Sequence, residues 1–138
     1  MPIFSDKSRN QLDTCHPELQ LLFDTVIKTF NCVVIEGHRD EHDQNKAYEL
    51  GNSKLKYPKG RHNAMPSMAA DVAPYPLDWK DIARFNFFAG YVLGVAERLY
   101  ATGAMKYKVR WGGDWNSDTI LSNENFKDLV HFELRGSP

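Results

Sequence analysis

The stretch His62-Asn-Ala-Met-Pro-Ser-Met-Ala-Ala-Asp71 leads from a polar loop into a short apolar run that contains one carboxylate. A second apolar run, Leu129-Val-His-Phe-Glu-Leu134, contains a histidine in the same way. Short apolar runs bounded by turn residues are typical of buried β-strands. A polar group inside such a strand is unfavourable unless it is paired or bound to a metal ion. The two stretches therefore predict a polar site on a sheet.

Apolar residues at helical spacing and short β-branched runs fill the rest of the chain. They predict helices over residues 17–30, 40–50 and 78–102, and two further strands over residues 32–35 and 108–111. Residues 52–67, which contain glycine, proline and several basic residues, predict a long loop. Helices that alternate with short strands favour an α+β fold with a small, partly antiparallel sheet flanked by helices. The length predicts a single domain over residues 1–138.

Composition excludes several classes of function. The chain has 17 Lys and Arg against 18 Asp and Glu, so its charge gives no general attraction to nucleic acid or anionic lipid. The most apolar stretch, residues 91–96, is too short to span a bilayer, and the N-terminus has no signal-peptide pattern. Two cysteines, Cys15 and Cys32, are too few for a disulfide scaffold, so we expect two free thiols.

Two strand residues and one loop histidine form a candidate metal site. Asp71 and His131 lie on the predicted strands, and His62 lies in the loop that leads into the first of them. Three protein ligands leave one coordination position for water, which is the arrangement of catalytic zinc sites. The alternative is structural: His131 would be a hydrogen-bonded core residue and Asp71 would cap a turn.

Four segments in the same order resemble a known family. Residues 62–71 resemble the first metal motif of a family of zinc peptidases. This family includes D-alanyl-D-alanine carboxypeptidases and phage L-alanyl-D-glutamate endolysins. The spacing from histidine to aspartate is two residues longer here. Asp128-Leu-Val-His131 resembles the second metal motif, in which an acid lies three residues before the last zinc histidine. Gly112-Gly-Asp-Trp115 resembles a turn of the endolysin branch. Gly37-His-Arg39, with Gln44 and residues 51–53, resembles a further family segment.

The resemblance implies a role for each matched residue. His62, Asp71 and His131 would bind one zinc ion (Zn2+) per chain. Asp128 would be the general base that takes a proton from water and returns it to the leaving amine. Arg39 would lie near the scissile carbonyl and stabilise the oxyanion.

Three further residues are candidates for substrate binding, namely Gln44, Ser67 and Trp115. We expect residues 52–67 and 116–127 to form the walls of the substrate groove. The alternatives are a solvated helix position for Gln44 and a core position for Trp115. Glu133 shares a strand face with His131, so it is either a partner of a ligand or a surface carboxylate.

Two charged clusters have functional and ordinary interpretations. Acidic residues before the last strand could bind calcium (Ca2+), although the twelve-residue calcium-loop pattern is absent; these are Asp114, Asp118, Glu124 and Asp128. Basic residues of the long loop could contact the anionic cell wall or simply be solvated; these are Lys54, Lys56, Lys59 and Arg61.

The resemblance implies a peptidoglycan-degrading zinc endopeptidase, a phage endolysin that hydrolyses the L-alanyl-D-glutamate bond of the stem peptide. Its partner would be bacterial peptidoglycan, without nucleic acid or a membrane anchor, and we expect a monomer. It would stay in the host cytoplasm until lysis and then act on the wall. Two alternatives remain at this point: a D-alanyl-D-alanine carboxypeptidase or dipeptidase of the same family, and a non-catalytic zinc-binding domain of this fold.

Overall fold

Helices and short strands alternate along the chain, and a computed structural model describes residues 2–124 and 126–136. The helices are α1 (Asp6–Leu12), α2 (Pro17–Ile27), α3 (Glu41–Glu49) and α4 (Ile82–Ala101). The strands are β1 (Cys32–Glu36), β2 (Ala69–Pro74), β3 (Lys108–Gly112) and β4 (Asp128–Arg135). Short 3₁₀ turns cover Arg61–Asn63 and Leu121–Asn123. Residue 125 of the predicted groove wall, and the ends of the predicted 1–138 domain, lie outside the described residues.

The four strands form one sheet in the order β1-β2-β4-β3. All three pairings are antiparallel, so the α+β class is confirmed and the sheet is more uniform than the partly antiparallel one expected. Asp71 of β2 lies directly opposite His131 of β4. Arg110 of β3 lies opposite Glu133 of β4. Because alternate residues share a face, these four side chains lie on the same side of the sheet.

The opposite face of the sheet carries the hydrophobic core. Helices α2 and α4 pack there against the alternate strand residues Val72, Phe132 and Leu134. Phe23 of α2 meets Phe132 edge to face, with ring centroids 5.6 Å apart. The apolar face therefore anchors the sheet to the helices and leaves the polar face for the candidate site.

Helix boundaries follow their capping residues. Pro17 is the first residue of α2, as expected, and Asp40 caps α3, which ends before Gly51 at a φ of 79°. The predicted start of the long helix at Asp78 is wrong. Asp81, and not Asp78, is its N-cap and accepts a hydrogen bond from the Arg84 N–H, so the cap lies three residues later than expected.

Helix α1 was not predicted because its sequence has little apolar periodicity, and only Ser8 and Leu12 of its seven residues are buried. The available signal was Ser5, whose hydroxyl accepts a hydrogen bond from the Ser8 N–H as an N-cap. No helix of the described residues is long and apolar enough to cross a bilayer.

The two cysteines are free and buried, as predicted. Burial raises the pKa of the Cys32 thiol to about 12. Burial is also the main reason that the pKa of Cys15 rises to about 12. Both thiols are therefore neutral at physiological pH and have little nucleophilic character.

Gly112 gives the first testable prediction, because it pairs with Asp128 at the point where the register of β3 and β4 shifts. A Cβ atom at Gly112 would collide with the backbone oxygen of Asp128. We expect Gly112→Ala to lower the free energy of unfolding by about 1–3 kcal/mol, as forced overpacking does.

The matched control is Gly90→Ala on α4, where an added Cβ meets nothing within 4 Å. Because alanine is a better helix residue than glycine, this control should raise stability by about 0.5–1 kcal/mol. Urea unfolding of both variants measures the difference. Equal stability changes in the two variants would contradict the close approach at Gly112.

Candidate active site

Three side chains from different elements converge on the polar face of the sheet. His62 comes from the 3₁₀ turn, Asp71 from β2 and His131 from β4. His62 Nε2 lies 3.2 Å from Asp71 Oδ1 and 3.3 Å from His131 Nδ1. His131 Nδ1 lies 3.5 Å from Asp71 Oδ1. All three residues are buried.

These separations fit a metal ion. A tetrahedral zinc ion with bonds of about 2.0–2.1 Å holds its ligand atoms about 3.3–3.4 Å apart. The three observed separations, 3.2, 3.3 and 3.5 Å, lie around that value. In residues 2–124 and 126–136, this is the single group of such side chains whose ligand atoms converge in this way. The site therefore suits one metal ion per chain.

Hydrogen bonds on the far side of each imidazole set its tautomer. His62 Nδ1 lies 2.7 Å from the Gly37 carbonyl oxygen, and His131 Nε2 lies 2.8 Å from Glu133 Oε1. Both partners are acceptors, so the nitrogen beside each of them carries the hydrogen. When both imidazoles are neutral, the lone pairs of His62 Nε2 and His131 Nδ1 therefore face each other and Asp71, in position to bind a cation.

The electrostatics of the cluster favour positive charge. Burial alone would raise the pKa of Asp71, but the neighbouring His62 and His131 lower it well below its usual range. Burial likewise opposes protonation of His131, yet hydrogen bonds with Asp71 and Glu133 raise its pKa to about 9. A proton and a metal ion therefore compete for the same histidine.

Asp128 is a half-buried carboxylate at the start of β4 and lines the cavity next to His62 and His131. Burial and the nearby charge of Asp71 raise the pKa of Asp128 to about 6. A carboxylate with such a pKa can exchange a proton near neutral pH, which is what a general base requires.

Arg39 lies between β1 and the metal-site residues. Its guanidinium pairs with Glu36, and its Nη2 lies 3.6 Å from Asp71 Oδ2. Its backbone N–H donates to the His62 carbonyl oxygen at 2.8 Å. The structure therefore brings Arg39 to the metal-site residues, where its side chain lines the cavity.

Gln44 braces Arg39. It is fully buried, and its Oε1 accepts hydrogen bonds from Arg39 Nη1 at 3.0 Å and Asn63 Nδ2 at 3.2 Å. Its Nε2 donates to Ser53 Oγ at 2.9 Å and to the Leu55 carbonyl at 2.6 Å. Its hydrogen bonds therefore hold Arg39 and the loop after α3. Gln44 also lines the cavity, and its contact with substrate stays a prediction.

Ser67 does not fit the substrate contact expected of it. The residue is fully buried, and its hydroxyl donates to the Ala69 carbonyl oxygen at 2.6 Å. Its backbone N–H donates to Thr14 at 2.9 Å and its carbonyl accepts from His16. Ser67 therefore joins the start of β2 to the segment between α1 and α2.

Trp115, like Gln44, is an expected substrate residue that lines the cavity. Its ring centroid lies 5.3 Å from that of His131, and its Nε1 donates to the Phe126 carbonyl oxygen at 2.6 Å. The cavity over the site has a volume of about 360 Å³ and is lined in part by the loop after α3 and by Trp115 and Phe126. The two expected groove walls therefore both contribute to it.

Carboxylates of the acidic loop before β4 accept hydrogen bonds from other groups of the same loop. Asp114 accepts from the N–H groups of Asp118 at 3.2 Å and Thr119 at 2.9 Å. Asp118 accepts from the Ile120 N–H at 2.8 Å and from Asn123 Nδ2 at 2.6 Å. Calcium binding by this loop stays a prediction.

Asn63 supports the site without having been assigned a role from sequence, and Glu133 is the partner of His131, one of the two alternatives left open for it. Asn63 Nδ2 donates to the Arg39 carbonyl at 2.9 Å, and Glu133 fixes His131 as described. The strand period placed Glu133 on the correct face, but only the structure shows that the carboxylate turns toward the imidazole.

Comparisons with known proteins agree with this geometry. A family model described as phage L-alanyl-D-glutamate peptidase matches residues 2–135. The fold is similar to the crystal structure of the Serratia marcescens L-Ala D-Glu endopeptidase ChiX, with a TM-score of 0.71 and 24% sequence identity over 96% of this chain and 90% of that chain. No curated protein sequence matches significantly.

Glu133→Gln tests how the site is held together. The amide would keep the shape of the side chain but weaken its hold on His131, so we expect metal affinity to fall about 10–100-fold. Competition with a chromogenic chelator measures this affinity. Glu97→Gln, which makes the same change at an exposed residue paired with Lys108, is the control and should bind metal like the parent chain. Unchanged affinity in Glu133→Gln would show that His131 does not need this carboxylate.

Proposed function

This chain belongs to the phage L-alanyl-D-glutamate peptidase family, and we propose that it is a zinc endopeptidase that cuts the peptidoglycan stem peptide between L-alanine and D-glutamate. The observation that carries the proposal is the convergence of His62, Asp71 and His131 beside Asp128 in an open cavity. A structural zinc site would not require a further carboxylate that lines the cavity next to its ligands.

Zinc suits this donor set. Two imidazole nitrogens and one carboxylate oxygen are common zinc ligands, and three of them leave a coordination position open to solvent. Zinc bound there would polarise the scissile carbonyl and acidify a water molecule.

The chain's own residues supply the proton transfer and the charge stabilisation. Asp128, with its pKa near 6, takes the proton from the attacking water and delivers it to the amine of D-glutamate as the bond breaks. Arg39, held by Glu36 and Gln44, donates hydrogen bonds to the oxyanion that forms from the L-alanine carbonyl. Because Arg39 is fixed before the substrate arrives, little reorganisation is needed during the reaction.

The biological setting follows from the same proposal. We propose that the protein is a phage endolysin that acts as a monomer, stays in the host cytoplasm until lysis and then degrades the wall. Calcium bound by the acidic cluster Asp114, Asp118, Glu124 and Asp128 is a secondary proposal. A rise in melting temperature in calcium but not in magnesium would support it, and equal melting temperatures would contradict it.

Asp128→Asn separates catalysis from metal binding. We expect this variant to keep about one zinc per chain and to lose about 10²–10⁴-fold in rate, because the amide cannot accept the proton. His62→Ala should lose both the metal and the activity. Elemental analysis and peptidoglycan turnover on the same preparations measure the two properties. Loss of zinc from Asp128→Asn would reassign Asp128 as a ligand.

The cleaved bond is tested with two substrates. Mass spectrometry of digested peptidoglycan should show new amino groups on D-glutamate, and a short peptide ending in D-Ala-D-Ala should release no D-alanine. The physical reason is that two cavities share Arg39 and Asp128 as lining residues, which leaves room for substrate on either side of the cut bond. A carboxypeptidase needs a closed end for a terminal carboxylate. Released D-alanine with intact wall would assign the chain to the carboxypeptidase branch.

A further inference from the structure

Two cavities meet at the catalytic residues. The first, of about 360 Å³, is lined by His62 and His131, and the second, of about 680 Å³, is lined by Asp71. Arg39 and Asp128 line both. A peptide bond held between Asp128 and Arg39 therefore has room for one half of the substrate in each cavity.

The two cavities differ in charge. Besides the shared Arg39 and Asp128, the first is lined by one carboxylate, Glu133, and by four cationic side chains, namely Lys54, Lys59, Arg61 and Arg110. The second is lined by three carboxylates and two lysines, namely Glu36, Asp43, Asp71, Lys46 and Lys127. The first cavity therefore attracts anions and the second does not.

Among the cationic side chains of the first cavity, Arg61 and Arg110 both lie next to Glu133, the partner of His131. Arg110 Nη2 donates to Glu133 Oε2 at 2.8 Å, and Arg61 Nε lies 3.7 Å from the same oxygen. Glu133 also accepts from His131, so a single buried carboxylate faces two guanidinium groups. Arg61 Nη2 donates to the Leu134 carbonyl oxygen, and the Nε atoms of both arginines are enclosed. Each arginine side chain is nevertheless 37% exposed. The pair therefore keeps positive charge at the cavity wall.

The substrate of the proposed reaction also carries more negative charge on one side of the cut bond than on the other. The L-alanine half is joined by an amide to the lactyl group of the glycan and has no charge near the cut bond. The D-glutamate half has a free α-carboxylate, and a diaminopimelate as third residue adds another. An arginine pair is well suited to such a group because guanidinium binds carboxylate through two parallel hydrogen bonds.

We propose that Arg61 and Arg110 bind a carboxylate of the D-glutamate half of the stem peptide, so that this half occupies the first cavity and the L-alanine half the second. This inference rests on the proposed function and adds to it the direction of the substrate and a basis for specificity. Stem peptides whose D-glutamate is amidated to D-isoglutamine lose that negative charge, and the protein discriminates against them if this carboxylate is the one bound.

Three soluble muramyl tripeptides test the proposal. The first has D-glutamate and L-lysine, the second has D-isoglutamine and L-lysine, and the third has D-glutamate and diaminopimelate. We expect the parent chain to show a kcat/KM about 10–100-fold higher when the recognised carboxylate is present, the range typical of charge-assisted hydrogen bonds. A difference between the first two assigns the D-glutamate carboxylate, and a difference between the first and third assigns that of diaminopimelate.

Arg61→Gln and Arg110→Gln should bring the ratio of kcat/KM values between the better and the poorer substrate close to one, chiefly through KM. Arg135→Gln is the matched control. Arg135 lies on the same strand as Glu133, but its Nη1 donates to Ser117 Oγ at 2.9 Å and its side chain does not line the first cavity. The control should keep the parent ratio and the parent zinc content.

The outcomes distinguish the inference from the proposed function. Equal kcat/KM for all three substrates in the parent chain would overturn the inference and leave the peptidase function intact. Equal losses on every substrate in Arg110→Gln, together with lost zinc, would show that Arg110 acts only through Glu133 and would also overturn it. Absence of any cleavage would overturn the proposed function. In that case calorimetry with a synthetic D-glutamyl peptide still decides the inference, which requires weaker binding in both arginine variants.

Discussion

The pairing of Asp71 with His131 across β2 and β4 is the constraint on which the rest of the molecule depends. The two residues are directly opposite in the antiparallel register, and both are buried. An ionised carboxylate in such a place is stable only beside positive charge. His62 and Arg39 approach the same carboxylate from the loop side, so the loops over the sheet are arranged around one charge.

Support for this cluster comes from successive layers of hydrogen bonds. The Gly37 carbonyl and Glu133 fix the two imidazoles, and Gln44 fixes Arg39. Gly37 itself is tightly enclosed, because a Cβ there would collide with Gln11 and Thr14. The segment that contains Gly37 therefore packs closely against the end of α1. On the other face of the sheet, the apolar core holds β2 and β4 in register.

The sequence predicts the elements that have strong signals and the residues whose chemistry conflicts with their surroundings. Asp71 and His131 are polar residues in apolar strands, so both could be recognised without coordinates. The roles of Gln44 and Ser67 could not, because spacing shows which residues come near a site but not whether their polar atoms already have partners. Helix α1 was missed for a related reason: it is short, and it is stabilised by packing against β1 more than by its own periodicity.

Glu133 connects two properties of the site that are usually treated separately. One of its oxygens orients the ligand His131, and the other faces Arg61 and Arg110. In the proposed substrate orientation, a substrate carboxylate would compete with Glu133 for the two arginines, and Glu133 would pair more strongly with His131. A more basic partner increases the electron donation of an imidazole to a metal ion. The proposal therefore couples binding of the anionic half of the substrate, through one buried carboxylate, to a residue of the candidate metal site.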